Sequence, residues 1–149
     1  MHSVFVYGTL RVGGVREIPR LFSSALFIGV GMARGQLYDF GAYPGFVGGS
    51  DGSVLGEVYE VDAEALATMD EIERIADGMY QRVRLDVRLE IGEHRNCWVY
   101  ECNPDHYELR PGQIIASGDW IAHAAAKGPL PPEQWPDELP IKFGLRNSS

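Results

Sequence analysis

Two short stretches of this 149-residue chain carry residue types that can do chemistry. One is Met69-Asp70-Glu71-Ile72-Glu73, with acidic residues at three of five positions; the other is Val4-Phe5-Val6-Tyr7-Gly8-Thr9-Leu10, a β-like run that stops at a glycine. On a helix, Met69, Ile72 and Glu73 are neighbours, so Glu73 lies on or beside the apolar stripe while Asp70 and Glu71 diverge from it. A carboxylate there is either paired or functional. Burial beside the stripe and the negative end of the helix dipole both disfavour its ionised form, which raises its pKa. Pairing with Arg74 or Arg82 would reverse that and make Glu73 structural. An acidic run of this kind is also what an ordinary solvated helix face looks like.

The N-terminal run reads as a buried strand ending in a turn, followed by a loop loosened by Gly13 and Gly14. Glycine has no Cβ, so a ligand can come close to the main chain at Gly8, and φ > 0 is open there. Successive N–H groups in such a turn form a concavity that suits a carboxylate. Many strands end at a glycine with no ligand involved, so this stretch gains meaning only in combination with others.

No metal or other cofactor is expected. The histidines, His2, His94, His106 and His123, show no pair at ligand spacing and no cysteine partner. Cys97 and Cys102 lie five apart in one strand-like run, so they point to opposite faces and read as buried free thiols. Neither has a histidine or helix N-terminus beside it to activate it as a nucleophile.

With 45% hydrophobic and 23% charged residues the chain has the composition of a soluble globular protein, and its length suits one domain over residues 1–149. A net charge of −8 with scattered arginines speaks against nucleic acid as a partner. No apolar run approaches the ~20 residues of a membrane helix, and the N-terminus has no basic region or cleavage site, so a cytoplasmic protein with no membrane partner is expected.

The elements that must position the two stretches follow in order. Pro19 suits a first helical turn, which predicts about two turns over 17–24. Leu26 to Asp39, punctuated by Gly29, Gly31 and Gly35, reads as bent strands of a curled sheet or small barrel. Tyr38 to Ser53 reads as a long loop, because its glycines and Pro44 defeat both periodicities. Val54 to Val61 is a strand, Asp62 an N-cap, and Ala63 onward a helix reaching toward Glu73, with Gly78 able to end it. Val83, Leu85, Val87 and Leu89 alternate with charged residues over 80–90, the mark of a half-buried strand. After a turn at 92–96, Cys97 to Tyr100 returns as its hairpin partner, with Trp98, Tyr100 and Cys102 on one face. Ser117-Gly118-Asp119 caps a short helix from Trp120, and five prolines between Pro129 and Pro140 predict an extended surface tail over 129–149.

Taken together, the run from Val4 to Arg11, Gly56-Glu57-Val58-Tyr59, Met69 to Glu73, Tyr80-Gln81-Arg82 and Trp98-Val99-Tyr100 resemble the γ-glutamylcyclotransferase-like superfamily, and most of all its γ-glutamylamine cyclotransferase branch and bacterial relatives. The match runs in order from the N-terminus to about Tyr100. The resemblance implies an α+β fold built on a small mixed β-barrel with a few short helices. It also implies a small-molecule γ-glutamyl substrate, whose glutamyl part is bound by Tyr7, Gly8, Thr9 and Leu10, largely through main-chain atoms. Glu73 would be the general acid/base, and Tyr80 and Tyr100 would line the pocket. In the reaction so implied, the substrate's own α-amine closes onto the γ-glutamyl carbonyl, giving 5-oxoproline and a released amine or amino acid. Two other readings stand beside this one: a non-catalytic member that binds an amino-acid-like ligand or a partner, and an unrelated hydrolase that pairs the carboxylates of Asp70 and Glu73.

Overall fold

The structure is a computed structural model that describes residues 1–11 and 17–128, with only the backbone of Ser50. The expected Gly13–Gly14 loop and the tail over 129–149 lie outside the described residues. Five strands close into a barrel in the order β1-β3-β2-β4-β5: β1 (His2–Val6), β2 (Leu26–Asp39), β3 (Pro44–Val61), β4 (Tyr80–Leu89) and β5 (His94–Cys102). All pairings are antiparallel except the seam, where β1 meets β5 in parallel at Val4 and Trp98. The short helices are α1 (Ile18–Leu21), α2 (Ala63–Ile72) and α3 (Trp120–Lys127). The expected barrel with a few helices is therefore what forms.

Alternation along the strands splits the core into two faces. Phe5, Phe46, Val58, Val87 and Val99 belong to one apolar cluster, which Trp120 of α3 completes. Val4, Val6, Tyr59, Tyr100 and Cys102 belong to the other, under Ile18 of α1 and Leu66 and Met69 of α2. Cys97 and Cys102 are buried, unbridged, and in opposite clusters, as their spacing requires.

Several elements differ from expectation. Residues 38–53 are no loop: β2 and β3 form one long hairpin across a turn at 40–43. The register jumps where Gly35 faces Gly48 directly after Arg34 faces Ser53, so residues 49–52 bulge out of β3. Glycine erased the two-residue period because it contributes no side chain to alternate, yet it lets strands bend tightly enough to close a barrel. At Gly35, φ is +152°, and a Cβ would run into the Val47 carbonyl oxygen.

The first helix is one turn, not two: Pro19 starts it as expected, but Phe22 already has extended dihedrals. Asp62 caps α2 by accepting from the Ala65 N–H at 2.8 Å. What stops α2 is Arg74 in the left-handed conformation (φ 57°, ψ 44°), and Gly78 ends the 3-10 turn that follows it. β5 begins at His94, inside the segment read as a turn.

Candidate active site

The site lies where the C-terminal end of β1, the start of β3 and the end of α2 meet. Tyr7 directly follows β1, and its buried hydroxyl donates to the backbone carbonyl of Tyr100 on β5. Burial first, then the negative charge of Glu73, pushes the Tyr7 phenol well above its ordinary pKa.

Gly8 departs from expectation in an informative way. It does not have positive φ; it is needed for close approach, and what approaches is the chain itself. A Cβ there would meet Pro44 Cγ at 2.7 Å and Cδ at 3.0 Å. The turn continues with the Arg11 N–H donating to the Gly8 carbonyl at 3.0 Å, while the Ile18 N–H donates to the Leu10 carbonyl at 2.8 Å. Thr9 and Leu10 are buried. Among the described residues, no acceptor takes the N–H groups of Gly8, Thr9 or Leu10. Three consecutive amides of a buried turn are thus left without a backbone acceptor among the described residues.

Glu73 caps the C-terminal end of α2, with its N–H donating to the Met69 carbonyl at 2.9 Å and its side chain half-buried beside the buried Met69 and Ile72. Its charge contributes to the raised phenol pKa values of Tyr7, Tyr80, Tyr100 and Tyr107, in each case after burial as the largest cause. The Glu73 charge thus acts on tyrosines from four places in the chain: Tyr7 directly after β1, Tyr80 on β4, Tyr100 on β5 and Tyr107 beyond β5. Arg82 pairs with Asp70 (Nε to Oδ1, 2.9 Å), and Arg74 reaches Asp77.

The hydroxyls of Tyr80 and Tyr100 are both committed. The Tyr80 hydroxyl donates to the Pro44 carbonyl at 2.7 Å, and that of Tyr100 to Asp70 Oδ1 at 2.7 Å. With Tyr7 on the Tyr100 carbonyl, the three phenols cross-link β1, β3, β4, β5 and α2 around the site.

Sequence reasoning missed two groups. The first is aromatic: Tyr107 stacks on Phe40 (centroids 4.2 Å apart, planes at 2°), and its hydroxyl shares a hydrogen bond with that of Tyr43 at 3.1 Å. These residues lie in a hairpin turn and an irregular segment, where no periodicity marks them. The second is ionic: Arg11 Nη1 donates to Asp119 Oδ1 at 2.9 Å and its Nε approaches Glu57 Oε2 at 3.4 Å, with Arg11 and Glu57 both buried. A signal was present here, since Glu57 shares a strand face with the apolar Tyr59 and Val61, and a buried carboxylate needs a cation or donors.

The comparisons bear directly on this arrangement. The family model described as "Gamma-glutamyl cyclotransferase, AIG2-like" matches residues 4–122, which span every site residue named above. The chain belongs to this family. The match takes the γ-glutamyl cyclotransferase likeness past Tyr100, through Tyr107 and into α3. Among relatives, a Vibrio cholerae protein provisionally named a γ-glutamylcyclotransferase is 39% identical over 119 residues, covering 80% of this chain and 95% of its own length. The γ-glutamylcyclotransferase family protein YtfP of Escherichia coli K12 is 33% identical over 119 residues, covering 79% and 95%. Among solved structures, the mouse AIG2-like protein (GGACT) superposes with a TM-score of 0.72 at 28% identity, covering 91% of this chain and 99% of that one. PH0828 from Pyrococcus horikoshii gives 0.63 at 33% identity, covering 85% and 96%. Membership makes the γ-glutamyl cyclotransferase type the activity class and a small γ-glutamyl molecule the implied substrate class. Among the described residues, no helix is long and apolar enough to cross a membrane.

Proposed function

We propose that this chain is an enzyme that cyclises a γ-glutamyl compound to 5-oxoproline and releases an amine or amino acid, with Glu73 as general acid/base. The reading is carried by one observation: the charge of Glu73, half-buried at the end of α2, acts on Tyr7, which directly precedes the Gly8–Leu10 turn, whose N–H groups meet no acceptor among the described residues. The turn holds the glutamyl carboxylate or the developing oxyanion, and the carboxylate handles the protons.

The chemistry needs little else. The nucleophile is the substrate's α-amine, so no enzyme serine or cysteine is required. At neutral pH that amine is mostly protonated, with a reference pKa near 8 against about 4.3 for an ordinary glutamate. Passing its proton to such a glutamate costs about 5 kcal/mol at ~1.36 kcal/mol per unit, and less the closer the two values are brought. Once protonated, Glu73 returns the proton to the departing amine. Holding the glutamyl chain folded for five-membered ring closure supplies several kcal/mol of the barrier by proximity alone.

The hydrolase reading fares worse, because Asp70 is engaged by Arg82 and the Tyr100 hydroxyl and is not placed to act as a second catalytic carboxylate. The test is a panel of γ-glutamyl amino acids and γ-glutamylamines, with 5-oxoproline and free glutamate both assayed. Wild type is expected to release 5-oxoproline from at least one compound, and Glu73→Gln to lose roughly 10²–10⁴-fold in rate. Full activity in Glu73→Gln refutes the role of Glu73, and release of free glutamate refutes cyclisation. Failure to turn over any compound would leave a binding module on the same fold.

A further inference from the structure

Each end of α3 is fastened to a different wall of the site. At its N-terminus, Asp119 caps the helix by accepting from the Ala122 N–H at 3.2 Å. The same Oδ1 takes the Arg11 guanidinium at 2.9 Å, and Arg11 ends the turn that carries the three amides. At its C-terminus, Lys127 Nζ bridges Asp39 (3.0 and 3.1 Å) and the Gly41 carbonyl (2.8 Å), while His123 Nε2 meets Asp39 Oδ2 at 2.7 Å. Asp39 in turn accepts from the Gly41 N–H at 2.7 Å, so this clamp grips the β2–β3 turn. That turn delivers Pro44 against Gly8 and Tyr43 against Tyr107. Between its fastenings α3 is seated on the core by the buried Trp120, with Ile121 and Ala124 packed beside it.

Eight helical residues span about 12 Å at ~1.5 Å per residue, and the fastenings lie at the two ends of that span. We propose that α3 is a strut that fixes the Gly8–Arg11 turn and the Asp39–Pro44 turn relative to one another, and that Arg11, Asp119, Asp39, His123 and Lys127 are positioning residues for the reaction. This rests on the site as read under Proposed function. The two walls also touch directly where Pro44 packs on Gly8, so the alternative is that this contact alone sets their spacing.

Two surface-side changes separate these possibilities. Asp119→Ser keeps a good N-cap but withdraws the carboxylate from Arg11, which still has Glu57. Lys127→Ala opens the clamp at the other end. If α3 is a strut, each single variant lowers kcat/KM by roughly tenfold, a part of the ~10²-fold that a 1 Å misplacement can cost. Fastenings this far apart that act independently have additive effects, giving about a hundredfold loss in the double variant. A strut broken at either end is already lost, so the double variant stays near tenfold, and Lys127→Arg restores wild-type rates. Wild-type kcat/KM in both singles overturns the proposal in favour of the Gly8–Pro44 contact, and full additivity overturns it in favour of two separate anchors.

A second measurement needs no substrate and so stands even if the panel assay shows no turnover. Asp119→Ser should speed amide hydrogen exchange at Gly41, and Lys127→Ala should speed it at Arg11, in each case at the wall opposite the change. Exchange that rises only on the mutated side overturns the strut whatever the protein's activity.

Discussion

Replacing Gly8 with alanine tests why the turn that carries the three amides begins with glycine. The new Cβ would lie 2.7 Å from Pro44 Cγ and 3.0 Å from Cδ, where carbon atoms rest at about 3.5–4.0 Å, so relief demands a shift of roughly 0.8 Å. Pro44 cannot swing a ring aside as a lysine swings its chain, so the shift falls on the backbone. That backbone is held: Pro44 pairs with Asp39 across the hairpin, and its carbonyl accepts the Tyr80 hydroxyl. Overpacking against such a wall costs about 1–3 kcal/mol. At ~2–4 °C per kcal/mol for a protein of this size, Tm should fall by roughly 2–12 °C, read by calorimetry or circular dichroism. The double variant Gly8→Ala/Pro44→Ala removes Cγ and Cδ and should recover most of that loss. The two readouts separate the glycine's structural reason from a functional one. If Gly8 serves only the fit to Pro44, 5-oxoproline release recovers along with Tm. If a substrate must also lie on the Gly8 main chain, Tm recovers and turnover does not. Gly8→Ala as stable as wild type, or a double variant no better than the single, refutes the packing account.

Two further measurements follow from the burial of ionisable groups. Burial is the largest cause of the raised phenol pKa values at Tyr7, Tyr59, Tyr80, Tyr100 and Tyr107, five of the seven tyrosines. Above about pH 10 the unfolded chain sheds phenolic protons that the folded chain retains, so stability is full below that pH and falls as pH rises further. Chemical denaturation between about pH 9 and 12 should show the decline, with most of the phenolate absorbance appearing only as the protein unfolds; titration of all seven tyrosines near pH 10 in the folded state would contradict the buried cluster. The same burial pushes the Cys97 and Cys102 thiols up to about 11. At about pH 8 both should therefore resist a thiol reagent until denaturant is added, because the thiolate is the reactive form; rapid labelling of either in the native protein would refute that burial.

The sequence made the outline of the fold legible wherever side chains carry the period. Val83, Leu85, Val87 and Leu89 gave β4 by alternation, and Asp62 and Asp119 gave the starts of α2 and α3 through their caps. It became unreadable between Tyr38 and Ser53, where glycines that bend a barrel wall look the same as glycines of a loop. The deciding quantities there are contacts across the sheet, such as Gly45 against Phe40 and Cys102, and those belong to the closed barrel and not to any window of sequence. The site was legible only in part for the same reason. Tyr7 and Tyr100 are far apart in the chain and meet because β1 closes the barrel against β5. Tyr80 reaches them because β4 pairs with β5, placing Tyr80 opposite Cys102. The resemblance supplied these residues as a set; no local pattern did. Arg11 shows the limit from the other side, since its partner Asp119 lies 108 residues away and nothing in either segment announces the other.

The hydrogen bonds of the tyrosines narrow the division of labour at the proposed site. An oxyanion donor could have been either a main-chain amide or a phenol. The hydroxyl protons of Tyr7, Tyr80 and Tyr100 are each given to a protein acceptor in a buried or part-buried setting. Withdrawing one to serve an oxyanion would strand the Tyr100 carbonyl, the Pro44 carbonyl or the Asp70 carboxylate, at a cost of about 1–3 kcal/mol each. The N–H groups of Gly8, Thr9 and Leu10 carry no such debt, because no acceptor among the described residues takes them. A preorganised donor is effective when it needs no rearrangement at the moment of reaction. On the proposed mechanism the oxyanion therefore falls to the turn. The tyrosines lock the strands around it.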